Sequence, residues 1–325
     1  MTKWKPNARR SRGSRRWMRA GLAVAFMLGM SCSTNRDPSE FFVPNDVGTL
    51  VVDALLQVGR PMPSVTVSRA LSPAIAYSPR AAAELHATVR VRELARNITV
   101  GYLESAPPGT YVAAVPVQVL PATTYELEVV TAAGETVRSR TTTPTNLSVD
   151  RWVLLDQQGQ TERHDLETFA SAGDSVYHAA PNQLVYADGL LEARFGRPDV
   201  EAFQLGLFSI DPGSDFVIRP ELFSESDLAK IDRQTSSPPV ECRDGTLRIP
   251  WFAVFFQGRY KVKLLALDHN AFDFLRSVPQ DNGGIAFGGS SGSGFDRPIF
   301  HVEGGIGLFG SVSADSVGIF ILPRP

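Results

Sequence analysis

Cysteine is nearly missing from this chain: 325 residues contain two, Cys32 and Cys242. A disulfide framework is therefore excluded. No uncharged apolar run reaches the roughly 18 residues that a membrane-spanning helix needs. Collagen is excluded too, because 27 glycines and 23 prolines follow no repeat. Histidine is sparse. His86, His164, His178, His269 and His301 form no HxH, no HExxH and no cluster with cysteine, so no metal motif is legible and no metal or cofactor is expected. His164-Asp165 and Asp268-His269 are adjacent pairs, and neighbours on a strand point to opposite faces. All five histidines read as surface or strand-end residues. No Gly-x-Ser-x-Gly elbow stands on a strand-turn-helix. The run Gly289-Ser290-Ser291-Gly292-Ser293-Gly294 lacks the apolar flanks and the GK[ST] ending of a phosphate loop. No catalytic residue set is legible, and no enzyme activity is expected.

Acid is missing from the first 31 residues, which hold eight of the 32 lysines and arginines. An uncharged apolar run, 20–30, follows the basic segment. This is the layout of a secretory signal. Without 1–31 the chain keeps 24 basic against 34 acidic residues, a formal charge of −10. Such a surface argues against nucleic acid, which needs clustered Lys and Arg. Leu28-Gly29-Met30-Ser31-Cys32 resembles the box before the modified cysteine of bacterial lipoproteins. Cys32 is then the lipidation site, and Ser33 after it implies export to the outer membrane. An ordinary secreted or buried cysteine is the plainer alternative.

Hydrophobic residues make up 43% and charged residues 20%, enough to bury a core. Residues 32–47 are polar with two prolines and read as a tether. From there the hydrophobic period is two. Strands are expected at 49–56, 64–68, 87–94, 97–103 and 110–117. Residues 121–143 read as a hairpin in which Tyr125, Leu127 and Val129 alternate with Glu126 and Glu128. A Tyr entering a strand after a proline-containing corner resembles the tyrosine corner of immunoglobulin and fibronectin-like sandwiches. The predicted fold class is mainly β: an N-terminal Ig-like or fibronectin-like β-sandwich over 48–146, then a second β-rich domain with short helices over 147–325. In the second, 184–195, 201–210, 246–256, 258–267, 305–311 and 317–322 read as strands. Helices are expected at 165–172, 220–233 and 270–276.

Three further patterns have a chemical and a plain reading. Asp211 to Asp215 and Asp281-Asn282-Gly283-Gly284 offer oxygen ligands for calcium but lack its loop spacing and closing Glu, so both read as turns. The run from Trp251 to Phe256 reads as a strand buried on both faces, with an exposed aromatic face for a sugar or protein as the alternative. Gly304, Gly305, Gly307 and Gly310 read as close backbone approaches, with Phe309 filling the second core.

Residues 259–276, then Gly283-Gly284, Pro298 and the run from Val302 to Ser311, resemble the C-terminal signature of domain-of-unknown-function family 4249. The lipid cysteine, the tether and the strands at 50–56, 64–70 and 120–129 fit the same pattern. The resemblance implies a surface lipoprotein of Gram-negative bacteria, accessory to a TonB-dependent outer-membrane receptor. The expected protein is a non-catalytic outer-membrane lipoprotein that acts in binding or assembly at the cell surface. Its expected partners are the membrane through the lipid, a receptor protein, and a carbohydrate or peptide ligand. The rival expectation is a secreted carbohydrate-active or other hydrolase.

Overall fold

The computed structural model describes residues 46–323, apart from 73, 197–199, 201, 219–220, 222, 230, 243, 250 and 279–297. The leader, Cys32, the tether to residue 45, the Asp281 turn and the glycine-serine run at 289–294 lie outside the described residues.

Seven strands come first: β1 (Leu50–Gln57), β2 (Val65–Arg69), β3 (Thr88–Glu93), β4 (Ile98–Ser105), β5 (Thr110–Ala113), β6 (Thr124–Val130) and β7 (Thr136–Thr142). Their period of two has a direct cause. Leu50, Val52, Ala54 and Leu56 of β1 are buried, as are Tyr125, Leu127 and Val129 of β6, while intervening residues face outward. One face of each strand is thereby removed from water, which stabilises by about 1.5–3 kcal/mol for each large apolar side chain. β1, β2 and β5 pair in one layer, and β4, β3, β6 and β7 in the other. β4 serves both layers: Ile98 to Gly101 pair with β3, and Tyr102 to Ser105 pair with β5. This is the expected fibronectin-like sandwich. Tyr125 is fully buried, and its hydroxyl accepts the Leu120 N–H at 2.9 Å. The tyrosine corner is present.

The chain continues through β8 (Val149–Leu155), β9 (Glu162–Asp165), β10 (Gln183–Val185), β11 (Leu190–Phe195), β12 (Ala202–Ser209), β13 (Gln234–Ser236), β14 (Thr246–Ile249), β15 (Gly258–Leu267), β16 (Val302–Glu303) and β17 (Ile306–Leu322). Among the described residues the α-helices are α1 (Pro79–Ala82), between β2 and β3, and then α2 (Phe169–Ala172), α3 (Glu225–Leu228) and α4 (His269–Ser277). β14, β11, β8 and β9 form a four-stranded sheet. It faces β13, β12, β15 and β17 across a second core that includes Trp152, Leu191, Phe203, Leu205, Val262 and Leu264.

β17 is where the structure departs most from the sequence reading. Residues 305–311 and 317–322 are expected as separate strands, yet one strand runs through both. Its first part pairs parallel with β1, from Ile306 opposite Val51 to Val312 opposite Gln57. Its second part pairs antiparallel with β15, from Val312 opposite Leu267 to Ile321 opposite Gly258. Polar residues between the two expected strands bind the chain leaving the first sandwich. Ser313 Oγ accepts the Leu147 N–H at 2.8 Å, and an Asp315 carboxylate oxygen accepts the Val149 N–H at 2.7 Å. Phe309 consequently belongs to the first core, not the second. Two later strands join the first set: β16 pairs with β7, and β17 pairs with both β1 and β15. Gly307 has φ of 116°, and a Cβ there would overlap the Val52 carbonyl oxygen. The expected close approach is present, on the β1 side.

Smaller departures have local causes. Residues 184–195 hold two strands, β10 and β11, which join different sheets. Among the described residues of 220–233 the helix is α3, one turn, because few apolar residues recur at helical spacing. The aromatic run is not a continuation of β14. Residues Trp251–Ala253 form a 3-10 turn, and the sequence places Pro250, which has no N–H to extend a ladder, just before it.

Two tyrosines of the first sandwich should respond oppositely to loss of the hydroxyl. Tyr102 Oη is buried with no hydrogen-bond partner among the described residues. Tyr102→Phe should raise stability by about 1 kcal/mol, whereas Tyr125→Phe strands the Leu120 N–H and should cost about 1–3 kcal/mol. Urea denaturation of both variants checks this; losses in both would contradict it.

Candidate functional site

β15 runs directly into α4, and the junction carries a buried polar network. Asp268 caps the helix: one carboxylate oxygen accepts the Ala271 N–H at 3.0 Å and the Ser311 N–H at 2.9 Å. The other oxygen accepts the Thr141 hydroxyl at 2.5 Å, and Thr141 Oγ1 lies 2.8 Å from Ser311 Oγ. Burial pushes the Asp268 carboxyl above its ordinary value against these donors. Asn270 donates to the Arg140 carbonyl at 2.6 Å and to the Phe309 carbonyl at 2.8 Å. β7, α4 and β17 are thus tied by side chains that replace missing backbone partners. Beneath them Ala202, Leu267, Ala271 and Val312 form a small apolar cluster.

One helical turn further, a second cluster forms. His269 and Asp273 stand at i and i+4, on one face of α4. His301 arrives from the segment before β16. Its carbonyl accepts the Ser139 hydroxyl at 2.5 Å, and Val302 pairs with Ser139 of β7. His301 Nε2 lies 2.7 Å, and His269 Nε2 3.3 Å, from the same oxygen, Asp273 Oδ2. Arg276 donates to Asp273 Oδ1 from Nε at 2.8 Å. Burial opposes ionisation of Asp273, but the bonds from His301 and Arg276 prevail and hold its carboxyl below the ordinary value. One potential ligand atom from each of His269, Asp273 and His301 lies within 4.8 Å of the others. Asp273 is buried, His301 half-buried and His269 exposed.

The cluster stands between two open grooves. One, of about 940 Å³, crosses the outer face of β3, β6 and β7 and includes His301 and Asn270 in its walls. Its floor is charged: Glu126 pairs with Arg92 at 2.7 Å and Arg140 at 2.6 Å, and Glu128 with Arg138 at 3.0 Å. The other, of about 760 Å³, includes Cys242, Asp268 and His269. The Cys242 thiol donates to the Thr246 carbonyl at 3.1 Å. Burial pushes that thiol up, so it stays protonated and is a poor nucleophile.

The other candidates have structural roles. Asp211 is held by Arg259 at 2.6 Å, and that bond keeps its carboxyl below the usual range. His164 Nε2 lies 3.0 Å from the Pro181 carbonyl, and Asp165 pairs with Arg151 at 2.6 Å. Val254, Phe255 and Phe256 are inside the second core, with Trp251 packed partly against it. Cys32 is outside the described residues. Sequence reasoning did not connect His269, Asp273 and His301. The i, i+4 spacing was available, but His301 follows Asp273 by 28 residues and is brought back by the pairing of β16 with β7.

Residues 36–317 match the model of a family described as a domain of unknown function, DUF4249. No curated protein matches the chain.

The junction should be sensitive to removal of the Asp268 acceptors but tolerant of an isosteric amide. Asp268→Ala should cost about 1–3 kcal/mol for each donor left without a partner. Asp268→Asn keeps one acceptor oxygen for both N–H groups and should cost less. Thermal melting of the two variants checks the order; equal losses would contradict the network described.

Proposed function

Because the chain belongs to the DUF4249 family, a domain of unknown function, we propose a role read from its own residues: a non-catalytic, lipid-anchored outer-membrane protein that binds a partner at the cell surface. The observation that carries this reading is Cys32, placed directly after a basic, acid-free segment and an apolar run. Each buried acyl CH₂ contributes about 0.8 kcal/mol, and two or more chains make a stable anchor. The tether at 32–47 then sets the sandwiches off from the bilayer. Among the described residues no helix is long and apolar enough to cross a membrane.

The body suits binding better than catalysis. The two grooves are open rather than deep, and two of the three acids that line the larger one, Glu126 and Glu128, are paired with arginines, the third being the exposed Glu303. A hydrolase needs a free nucleophile–base or acid–base pair in one cleft. The arginine-rich face of β3, β6 and β7 is the surface we assign to a carbohydrate or peptide ligand, or to a TonB-dependent receptor beside which the protein acts.

Cys32→Ala should move the protein from the membrane pellet to the soluble fraction and abolish labelling by a palmitate analogue. Retention of the variant in the pellet after a high-salt wash would contradict the anchor.

A further inference from the structure

We propose that His269, Asp273 and His301 form a binding site for a divalent transition-metal cation of the zinc class, which clamps α4 to the segment that leads from Ile299 into β16. The donor set is two imidazole nitrogens and one carboxylate oxygen, converging from two separate elements. Tetrahedral zinc with bonds of about 2.0–2.1 Å has ligand–ligand edges of about 3.3–3.4 Å. The His269–Asp273 edge is 3.3 Å and the His301–Asp273 edge 2.7 Å. The third edge, between the two imidazoles, is at most 4.8 Å; on binding it would shorten, and the His301–Asp273 edge would lengthen, to the tetrahedral spacing.

A plain ion pair does not account for this arrangement as well. One imidazolium suffices to pair with Asp273, yet two Nε2 atoms approach the same oxygen, Oδ2, while Arg276 occupies Oδ1. Arg276 fixes the rotamer of the carboxylate and leaves one oxygen for a cation, the outer-sphere support usual around bound metals. With a single carboxylate oxygen, the site is poor in the hard donors that calcium and magnesium require. Imidazole nitrogen favours zinc, copper, nickel or iron instead.

The backbone around the ligands is already held. Asp268 caps α4, Ser277 Oγ accepts the Ile299 N–H at 2.8 Å, and Ser139 holds the His301 carbonyl. The cation therefore joins positions that are in place rather than creating them. Three protein donors leave a coordination position for water or for a donor atom of a bound partner, between the two grooves.

The test is calorimetric titration of zinc chloride into the chelator-treated full-length protein, with the same titration for His269→Ala, His301→Ala and, as a control, His86→Ala. One zinc per chain is expected, with no comparable binding of magnesium or calcium. Loss of an outer-sphere partner weakens metal binding by about 10–100-fold, so loss of either ligand histidine should weaken it by more than about 100-fold. His86→Ala should bind as the parent does. His269 is exposed, and its replacement leaves the helix cap intact, so that variant tests the ligand rather than the fold. Cobalt in place of zinc should give visible d–d bands that His269→Ala lacks. Absence of stoichiometric zinc, undiminished binding by His269→Ala, or equal binding of calcium would each overturn the proposal.

Discussion

The backbone ladder of β17 is the constraint on which the rest of the structure depends. At Val312 the strand changes partners: up to that residue it pairs parallel with β1, and from it onward antiparallel with β15. A sheet edge that would otherwise expose unpaired N–H and C=O groups is closed on each half by the same strand. The first sandwich gains Phe309 in its core, and the second gains Val317, Ile319 and Ile321. Neither core is complete without this strand, although the strands before residue 146 already form a fibronectin-like pattern.

The partner change explains the polar chemistry around it. Where β17 leaves β1, the polar groups of neighbouring segments need new partners, and side chains supply them. Asp268 and Asn270 serve α4, β7 and β17 from the helix start. Ser313 and Asp315 serve the connection between the sandwiches. The histidine–aspartate cluster lies on the solvent side of this junction. Its two contributing segments are positioned by the junction itself, α4 through its cap and His301 through β7.

The sequence made the first sandwich legible because each strand buries one face, and burial of one face writes a period of two. Tyr125 added a local marker whose hydrogen bond spans only five residues. The same logic fails for β17, where Ser313 falls between the two expected strands and looks like a loop residue until its partner is known. It fails for Trp251–Ala253, where apolar content signals burial but not backbone form. The candidate cluster was half legible, since His269 and Asp273 share a helix face, while His301 depends on a strand pairing far along the chain. Cys32 and its leader stand apart: their message is compositional and needs no fold to be read.

The central claim is that β17 makes the two sandwiches one cooperative unit. Hydrogen–deuterium exchange of the full-length Gly307→Val variant tests it most directly, because the added side chain meets the Val52 carbonyl in the first sandwich, far along β17 from most of its pairing with β15. The account predicts faster exchange not only in β1 but also at the β15 amides of Tyr260, Val262 and Leu264. Unchanged protection in β15 beside a loosened β1 would contradict it and show two units that merely share a strand.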